Sequence, residues 1–273
     1  MANPSEVTNM ALFCDFENVA LGVQDAKYDK FDIGKVIERL LLKGSIVVKK
    51  AYCDWDRYKS FKAPMHEASF ELIEIPHVRQ SGKNSADIRM VVDALDLCYT
   101  KAHVDTFVII SGDSDFSPLV SKLRENAKRV IGVGVKNSTS DLLIANCDEF
   151  IFYDDLVRAQ KKTIARRSLP KASGATEGAA PAGKGVEGRR QEAVDLIAET
   201  LEALIAERGE DEKVWGSMVK QALKRRKPGF AESFYGFRSF NGLLEEAERR
   251  KVLELERDEK SGGYIVRLGT PLE

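Results

Sequence analysis

Two aspartates one residue apart, Asp113 and Asp115, follow closely after an apolar run that ends at Ile110. The continuous β-branched residues 108–110 are typical of a strand that is buried on both faces of a parallel sheet. Ligands of open α/β sheets bind beyond the carboxyl ends of the strands. Two carboxylates this close repel each other unless a cation or a proton lies between them. The stretch is therefore a candidate cation site, although the same residues are also consistent with an ordinary turn.

Two further aspartates are expected at the same edge of the sheet. Residues 10–15 form a predicted buried strand that ends at Asp15, and Asn18 lies in the loop that follows it. Asp87 lies in the first turn of a predicted helix that starts near Ser85, on the edge where the preceding strand ends. Each residue alone has a structural explanation, because Asp and Asn commonly form turns and cap helices.

Converging carboxylates without histidine or cysteine make a hard oxygen site, the kind that Mg²⁺ or Mn²⁺ prefers. A substrate at such a site supplies further oxygens, which indicates a phosphate group. A metal there would orient and deprotonate water and neutralise charge on the leaving oxygen. The pattern therefore predicts a metal-dependent phosphoester site.

Strands and helices alternate through the first 153 or so residues, which predicts a parallel sheet with helices on both faces, over residues 8–157. Residues 158–190 carry 9 Lys+Arg against 2 Asp+Glu and few large apolar side chains, which predicts a flexible basic linker. Contact with a polyanion and simple solvation both remain open for it. Residues 191–269 show three helical segments and a closing hairpin, a winged helix-turn-helix pattern.

Composition excludes several classes of protein. The chain has 273 residues and a net charge of −1, and no apolar run approaches the ~20 residues of a membrane span. No secretory signal is visible. The four cysteines lack CxxC spacing, and the three histidines pair with none of them at ligand spacing, so no zinc site is expected. Buried free thiols and a cytoplasmic location are expected.

Four spaced motifs carry a resemblance to a known family. They are Asp15-Phe16-Glu17-Asn18, Lys83 followed by Asp87, Ser111-Gly112-Asp113-Ser114-Asp115-Phe116, and Asn137-Ser138-Thr139-Ser140. In this order they resemble the NYN domains, the LabA-like branch of the PIN-like nucleases, over roughly residues 8–155. The resemblance implies a PIN-like three-layer α/β/α fold and a divalent-metal-dependent endoribonuclease.

The resemblance also implies roles for individual residues. The family's metal-binding acids correspond to Asp15, Asp87, Asp113 and Asp115, which would hold Mg²⁺ or Mn²⁺, and its conserved asparagine corresponds to Asn18. Lys83 would face the substrate phosphate, and Ser138 or Ser140 would lie on the rim of the site. No core acid departs from the pattern, although some NYN proteins only bind RNA.

The C-terminal part has a second resemblance. Ser217-Met218-Val219-Lys220, Pro228-Gly229-Phe230, Tyr235-Gly236-Phe237 and Phe240 with Leu243-Leu244 are similar to the OST-HTH/LOTUS domain over about 191–269. This implies a small α+β winged-helix domain that binds RNA or protein partners. The basic end of the predicted second helix suits phosphates, although cations also favour any helix C-terminus. Its residues are Lys220, Lys224, Arg225, Arg226 and Lys227. We expect Phe230, Tyr235 and Phe240 to be mostly core.

The sequence therefore predicts an endoribonuclease that acts on single-stranded RNA. Alternatives are a non-catalytic RNA-binding or adaptor protein, and a nuclease that acts on DNA. A phosphatase of the haloacid-dehalogenase type is weaker, because Ser117 stands where that class has threonine. The expected partners are RNA and a protein bound by the C-terminal domain, with a second copy of the chain as a further candidate and no membrane association.

Overall fold

The computed structural model describes residues 8–75, 85–168, 185–209, 212–258 and 262–269, with the backbone alone for 162–168. The chain divides into two compact units, Met1–Pro170 and Lys171–Glu273. Each unit is described by itself below. No helix in the described residues combines the length and the apolar character that crossing a membrane requires.

The first unit is built on a six-stranded sheet in which every strand pair is parallel. Its strands are β1 (Asn9–Asp15), β2 (Ser45–Cys53), β3 (Glu71–Glu74), β4 (Thr106–Ile110), β5 (Arg129–Gly134) and β6 (Glu149–Phe152). The order across the sheet is β3-β2-β1-β4-β5-β6. The parallel sheet expected from the alternating pattern is thus confirmed.

Helices cover both faces of this sheet. They are α1 (Phe16–Asp25), α2 (Ile33–Lys43), α3 (Lys59–Glu67), α4 (Ser85–Thr100), α5 (Ser117–Glu125), α6 (Asp141–Asn146) and α7 (Tyr153–Ser168). Side chains of β1 alternate between two cores, as the period of a strand requires. Met10, Leu12 and Cys14 pack in the core that contains α1 and α2 residues. Ala11 and Phe13 pack in the core that contains α4 and α5 residues. The unit is a three-layer α/β/α domain.

The central strands β1 and β4 define a switch point in the topology. The chain moves outward from β1 to β3, returns to β4 beside β1, and then moves outward in the other direction. Both strands are buried along almost their whole length, which explains their continuously apolar sequences. In sheets of this kind the crevice at the carboxyl ends of the two central strands is the usual place for a ligand.

The predicted linker over 158–190 is helical at both ends, and its middle, residues 169–184, lies outside the described residues. Helix α7 continues to Ser168, and the next helix, α8 (Val186–Arg208), begins before residue 191. Leu156 and Val157 pack against the core, so the first turns of α7 are anchored. The Lys and Arg residues that suggested a linker are also good helix formers, and so the helix extends further.

The second unit is a small α+β domain. It comprises α8, β7 (Val214–Trp215), α9 (Gly216–Arg226), α10 (Phe240–Arg249), β8 (Leu253–Arg257) and β9 (Tyr264–Leu268). The three strands form an antiparallel sheet in the order β7-β9-β8. The predicted hairpin is present as β8 and β9. The two-residue strand β7 was not predicted, because two residues are too few to show a period.

Candidate active site

Asp15 lies at the centre of the site. It is the last residue of β1 and also the N-cap of α1. Its side chain is only 8% exposed. Its Oδ2 accepts a hydrogen bond from the Ser111 hydroxyl at 3.0 Å, and its Oδ1 lies 3.5 Å from the Asn18 N–H. A buried carboxylate requires such partners, and they fix this side chain at the end of the central strand.

Ser111 and Asn18 connect the end of β1 to the turn after β4. The fully buried Ser111 donates to Asp15, and its oxygen accepts from the Asp113 N–H at 3.2 Å. Asn18 Oδ1 accepts from the Gly112 N–H at 2.8 Å. The resemblance pointed to Asn18, but no role was predicted for Ser111. The signal for Ser111 was a hydroxyl that directly follows a fully apolar strand.

Asp113 and Asp115 lie on the turn that follows β4. Asp113 caps a short 3-10 turn, Ser114–Phe116, and its Oδ1 accepts from the Asp115 N–H at 2.9 Å. Asp113 is half-buried and Asp115 is exposed. This stretch therefore does form a turn, one of the two interpretations that the sequence allowed. A turn is also compatible with a cation site, because it places the two carboxylates just beyond the end of a central strand.

The electrostatic environment connects these three aspartates to Asp87, which lies in the first turn of α4. Burial raises the pKa of Asp15 from 3.8 to about 7, and the negative charge of Asp87 adds to this more than that of Asp113. The hydrogen bond from Ser111 opposes the rise. Burial also raises the pKa of Asp87, and the charges of Asp113 and Asp115 raise it further. All four predicted acids therefore lie within one electrostatic neighbourhood.

The four carboxylates interact electrostatically, but their side chains are not arranged as a complete metal site. Over the residues that the structure describes, no three His, Cys, Asp or Glu side chains stand close enough together to hold a metal ion. The chemistry of the donor set nevertheless fits a hard divalent cation, because the donors are carboxylate oxygens and a cation would relieve their mutual repulsion. Metal binding by Asp15, Asp87, Asp113 and Asp115 stays a prediction.

The loop after β5 packs directly against the turn that carries the acids. A Cβ on Gly112 would lie 2.4 Å from the Ser138 carbonyl oxygen, so only glycine fits there. The Ser140 N–H donates to the Gly112 carbonyl at 2.9 Å, and the Ser140 hydroxyl accepts from the Leu142 N–H at 3.2 Å, which caps α6. The loop that carries the two serines thus packs against the turn after β4, and their place on the rim of the site stays a prediction. Their contact with substrate stays a prediction, and Lys83 lies outside the described residues.

The predicted basic surface of the second unit lies at the end of α9, and some of its side chains already contact other residues of the same unit. Lys220 pairs with Glu232 at 3.2 Å and lies over the Phe240 ring. Burial lowers the pKa of Arg225, whereas Lys224 is exposed. Phe230 and Phe240 are buried and Tyr235 is partly buried, as expected for core residues. Of the five basic residues predicted to suit phosphates, Lys224 and Lys227 are exposed.

A parallel α/β/α domain with acidic residues at its switch point defines a nuclease-like protein of the PIN-like class. The family model for the NYN domain matches residues 9–154, more than half of the chain, and the chain belongs to this family.

Two further proteins are similar to this chain, and neither has an assigned function. An uncharacterised protein of Methanocaldococcus jannaschii is 30% identical over 140 residues, which cover 51% of this chain and 55% of that protein. A crystal structure of a Vibrio parahaemolyticus protein of unknown function is 26% identical, covers 57% of this chain and 98% of its own, and superposes with a TM-score of 0.50. The match thus spans about half the length of the archaeal relative.

Proposed function

We propose that this protein is a divalent-metal-dependent endoribonuclease that hydrolyses phosphodiester bonds in single-stranded RNA. One observation carries the proposal: the buried Asp15 carboxyl lies in the field of Asp87 and Asp113 at the switch point of an NYN domain. Mutual repulsion between these carboxylates lowers the stability of the free protein, and a bound cation relieves this cost. Acidic groups with perturbed pKa values are therefore frequent at functional sites. A divalent cation with an RNA phosphate is the ligand that suits these oxygens.

The four aspartates are the proposed ligands of Mg²⁺ or Mn²⁺. When bound, such an ion supplies a Lewis acid that lowers the pKa of water and neutralises charge on the phosphate. Asp15, whose pKa is raised to about 7, would release its proton as the cation takes its place. Ser111 and Asn18 hold Asp15 and the turn in register, so they are positioning residues. Lys83 is proposed to contact the substrate phosphate, with Ser138 or Ser140 at the rim.

The second unit is proposed to bind RNA or a partner protein. The resemblance of its motifs to the OST-HTH/LOTUS domain supports this proposal, and so does the exposed Lys224 at the basic end of α9. A tethered RNA-binding unit raises the effective concentration of substrate at the acid site. We place this activity in the cytoplasm, because the four cysteines are all free thiols.

A second candidate function is RNA binding without cleavage. One observation favours it: no three described metal-ligating side chains are preassembled into a site. The acids would then be a remnant of the family's chemistry. A nuclease that acts on DNA differs from the first proposal in substrate alone and is separated from it by the same experiment.

The test is a cleavage assay with labelled single-stranded RNA and, side by side, DNA of the same sequence, in Mg²⁺, Mn²⁺ or a chelator. Asp113→Asn is the test variant, and Asp96→Asn, an exposed aspartate of α4, is the matched control. We expect metal-dependent RNA cleavage by the parent and by Asp96→Asn, and a loss of about 100-fold or more in Asp113→Asn. Full activity in Asp113→Asn would refute the site. Binding without cleavage in any metal would favour the second candidate.

A further inference from the structure

The second unit exposes an aromatic ring with an arginine over one of its faces, and neither residue belongs to the acid site. Phe234 is 60% exposed, and the guanidinium carbon of Arg189 in α8 lies 5.7 Å from the centre of its ring. A cation at this distance from a ring is attracted by the ring's quadrupole. The same pairing of ring and arginine is what proteins use to bind unpaired nucleotides.

The exposed ring rests on a rigid base. Tyr235 contacts Phe234 edge-on, with ring centres 5.0 Å apart, and Tyr235 stacks on the buried Phe230 at 5.2 Å. Arg190 donates to the Gly236 carbonyl at 3.3 Å, which fixes the turn after these rings to α8. Phe234 is therefore held in place before any ligand arrives, which lowers the entropy cost of binding.

The charge around this ring is positive and uncompensated. The neighbouring acids already have partners, since Glu187 pairs with Arg250 at 2.5 Å and Glu232 pairs with Lys220 at 3.2 Å. In contrast, no carboxylate in the described parts of the chain lies within ion-pair distance of Arg189 or Arg238. Arg238 is exposed on the same loop as Phe234. Such a surface attracts a polyanion.

We propose that Phe234, Tyr235 and Arg189 form an aromatic platform that binds an unpaired strand of RNA. A base stacks on the face of the Phe234 ring opposite Arg189, and Arg189 and the exposed Arg238 contact the adjacent phosphates. An unpaired strand is required because the faces of bases within a duplex are already stacked. The choice of RNA rests on the proposed function, but the platform itself makes no use of the acid site.

The platform is a different surface from the basic end of α9 that the sequence suggested. There, Arg226 lies 3.4 Å from Glu199 and Lys220 pairs with Glu232, so two of the cations are already engaged. That end also lacks an exposed ring among the described residues. The platform combines a ring with uncompensated guanidinium groups, which accounts better for stacking and phosphate contact together.

Binding is measured with the full chain in a chelator, so that RNA stays intact, by fluorescence anisotropy of a labelled single-stranded RNA of about 15 nucleotides. The test variants are Phe234→Ala, Phe234→Tyr and Arg189→Ala. Leu268→Ala, which removes another exposed apolar side chain of the same unit (39% exposed), is the matched control. We expect Phe234→Ala to raise Kd by about five-fold or more and Phe234→Tyr and Leu268→Ala to leave it unchanged. Arg189→Ala should reduce the slope of log affinity against log salt concentration by about one unit, the amount expected for the loss of one phosphate contact.

The platform is overturned if Phe234→Ala, folded by circular dichroism, binds as the parent does, or if Leu268→Ala loses affinity equally. It is also overturned if the parent binds no single-stranded RNA, which would leave the surface to a protein partner. Its failure is separable from failure of the nuclease proposal. Cleavage that depends on Asp113 while Kd is indifferent to Phe234 removes the platform alone. Binding that depends on Phe234 without cleavage in any metal removes the nuclease alone.

Discussion

The side-chain oxygen of Asn18 accepts a hydrogen bond from the backbone N–H of Gly112 at 2.8 Å. Asn18 lies in the first turn of α1, directly after β1, and Gly112 lies in the turn after β4. The sheet topology reverses between these two strands. The bond therefore joins the two segments that carry Asp15 and Asp113. Its geometry assigns Asn18 a positioning role: it holds one half of the acid site against the other.

Replacing Asn18 tests this bond. Asn18→Ala leaves the buried Gly112 N–H without its acceptor, and we expect a loss of about 1–3 kcal/mol in unfolding free energy. Asn18→Asp keeps an acceptor at the same place but adds a carboxyl group beside Asp15, so it should recover this stability only at low pH, where the new group is protonated. Urea unfolding of both variants is the measurement. If both unfold at the parent's midpoint, the Asn18–Gly112 bond has no stabilising role.

Ser111→Ala removes the hydroxyl that joins Asp15 to the Asp113 amide. Because the Ser111 hydrogen bond lowers the pKa of Asp15, the variant should have a still higher Asp15 pKa. The proposed cation would then compete with a more tightly held proton, so cleavage near neutral pH should fall by about ten-fold and recover in part at higher pH. The pH profile of cleavage is the measurement. Ser217→Ala, an exposed serine of the second unit, is the control, and an equal loss in both variants would contradict the prediction.

Gly112→Ala tests the close approach of the loop after β5. The new Cβ would lie 2.4 Å from the Ser138 carbonyl oxygen, which is backbone and cannot turn aside. We expect the first unit to lose about 1–3 kcal/mol of stability and the acid site to lose activity. Gly229→Ala, whose Cβ would meet nothing within 4 Å, is the control. The melting temperatures of both variants, measured by calorimetry, are the test. If Gly112→Ala melts at the same temperature as Gly229→Ala, the loop after β5 shifts to accept the new Cβ at no cost in stability.

The stability of the cation-free protein should depend on Asp15 in a defined direction. Its pKa is about 7 in the folded protein and 3.8 as an unperturbed group, so between these values the folded state keeps a proton that the unfolded chain releases. This contribution is complete below about pH 4 and is lost as pH rises towards and through about 7. It is on the order of a few kcal/mol.

Asp15→Asn has no proton to lose at that position. The difference in stability between the variant and the parent should therefore shift in favour of the variant as pH rises from about 4 to about 7. Denaturant midpoints of both proteins in a chelator, measured across this range, are the test. A difference that is constant with pH would mean that the Asp15 pKa is not raised.

The sequence predicted the first unit well for a physical reason. Strands β1 and β4 are buried on both faces, so their apolar runs are unbroken, and the acids stand where the runs end. Because the strands are parallel, Asp15 and Asp113 lie at the same edge of the sheet. This could be predicted without knowing any side-chain contact. Ser111 escaped prediction because its role depends on a hydrogen bond across the β1–β4 pair to Asp15, in addition to a local one from the Asp113 N–H.

The second unit was predicted less completely, because the local sequence does not show which side chains contact each other in the folded domain. The basic end of α9 is a strong charge pattern, but the pairing of Lys220 with Glu232 depends on the fold. The exposure of Phe234 likewise could not be read from a segment with five aromatic residues, Phe230, Phe234, Tyr235, Phe237 and Phe240. Only the packing shows which ring is left outside.

Mn²⁺ binding provides a final prediction that needs no RNA. Because a cation that binds the Asp15 carboxylate displaces its proton, Mn²⁺ affinity should rise with pH from about 6 to about 8. Asp15→Asn, Asp87→Asn and Asp113→Asn should each weaken binding about ten-fold or more, and Asp115→Asn less, because Asp115 is the exposed member of the set. Isothermal titration calorimetry in two buffers of different ionisation enthalpy also counts the proton released. Asp96→Asn is again the control, and an affinity that is independent of pH would remove Asp15 from the proposed ligands.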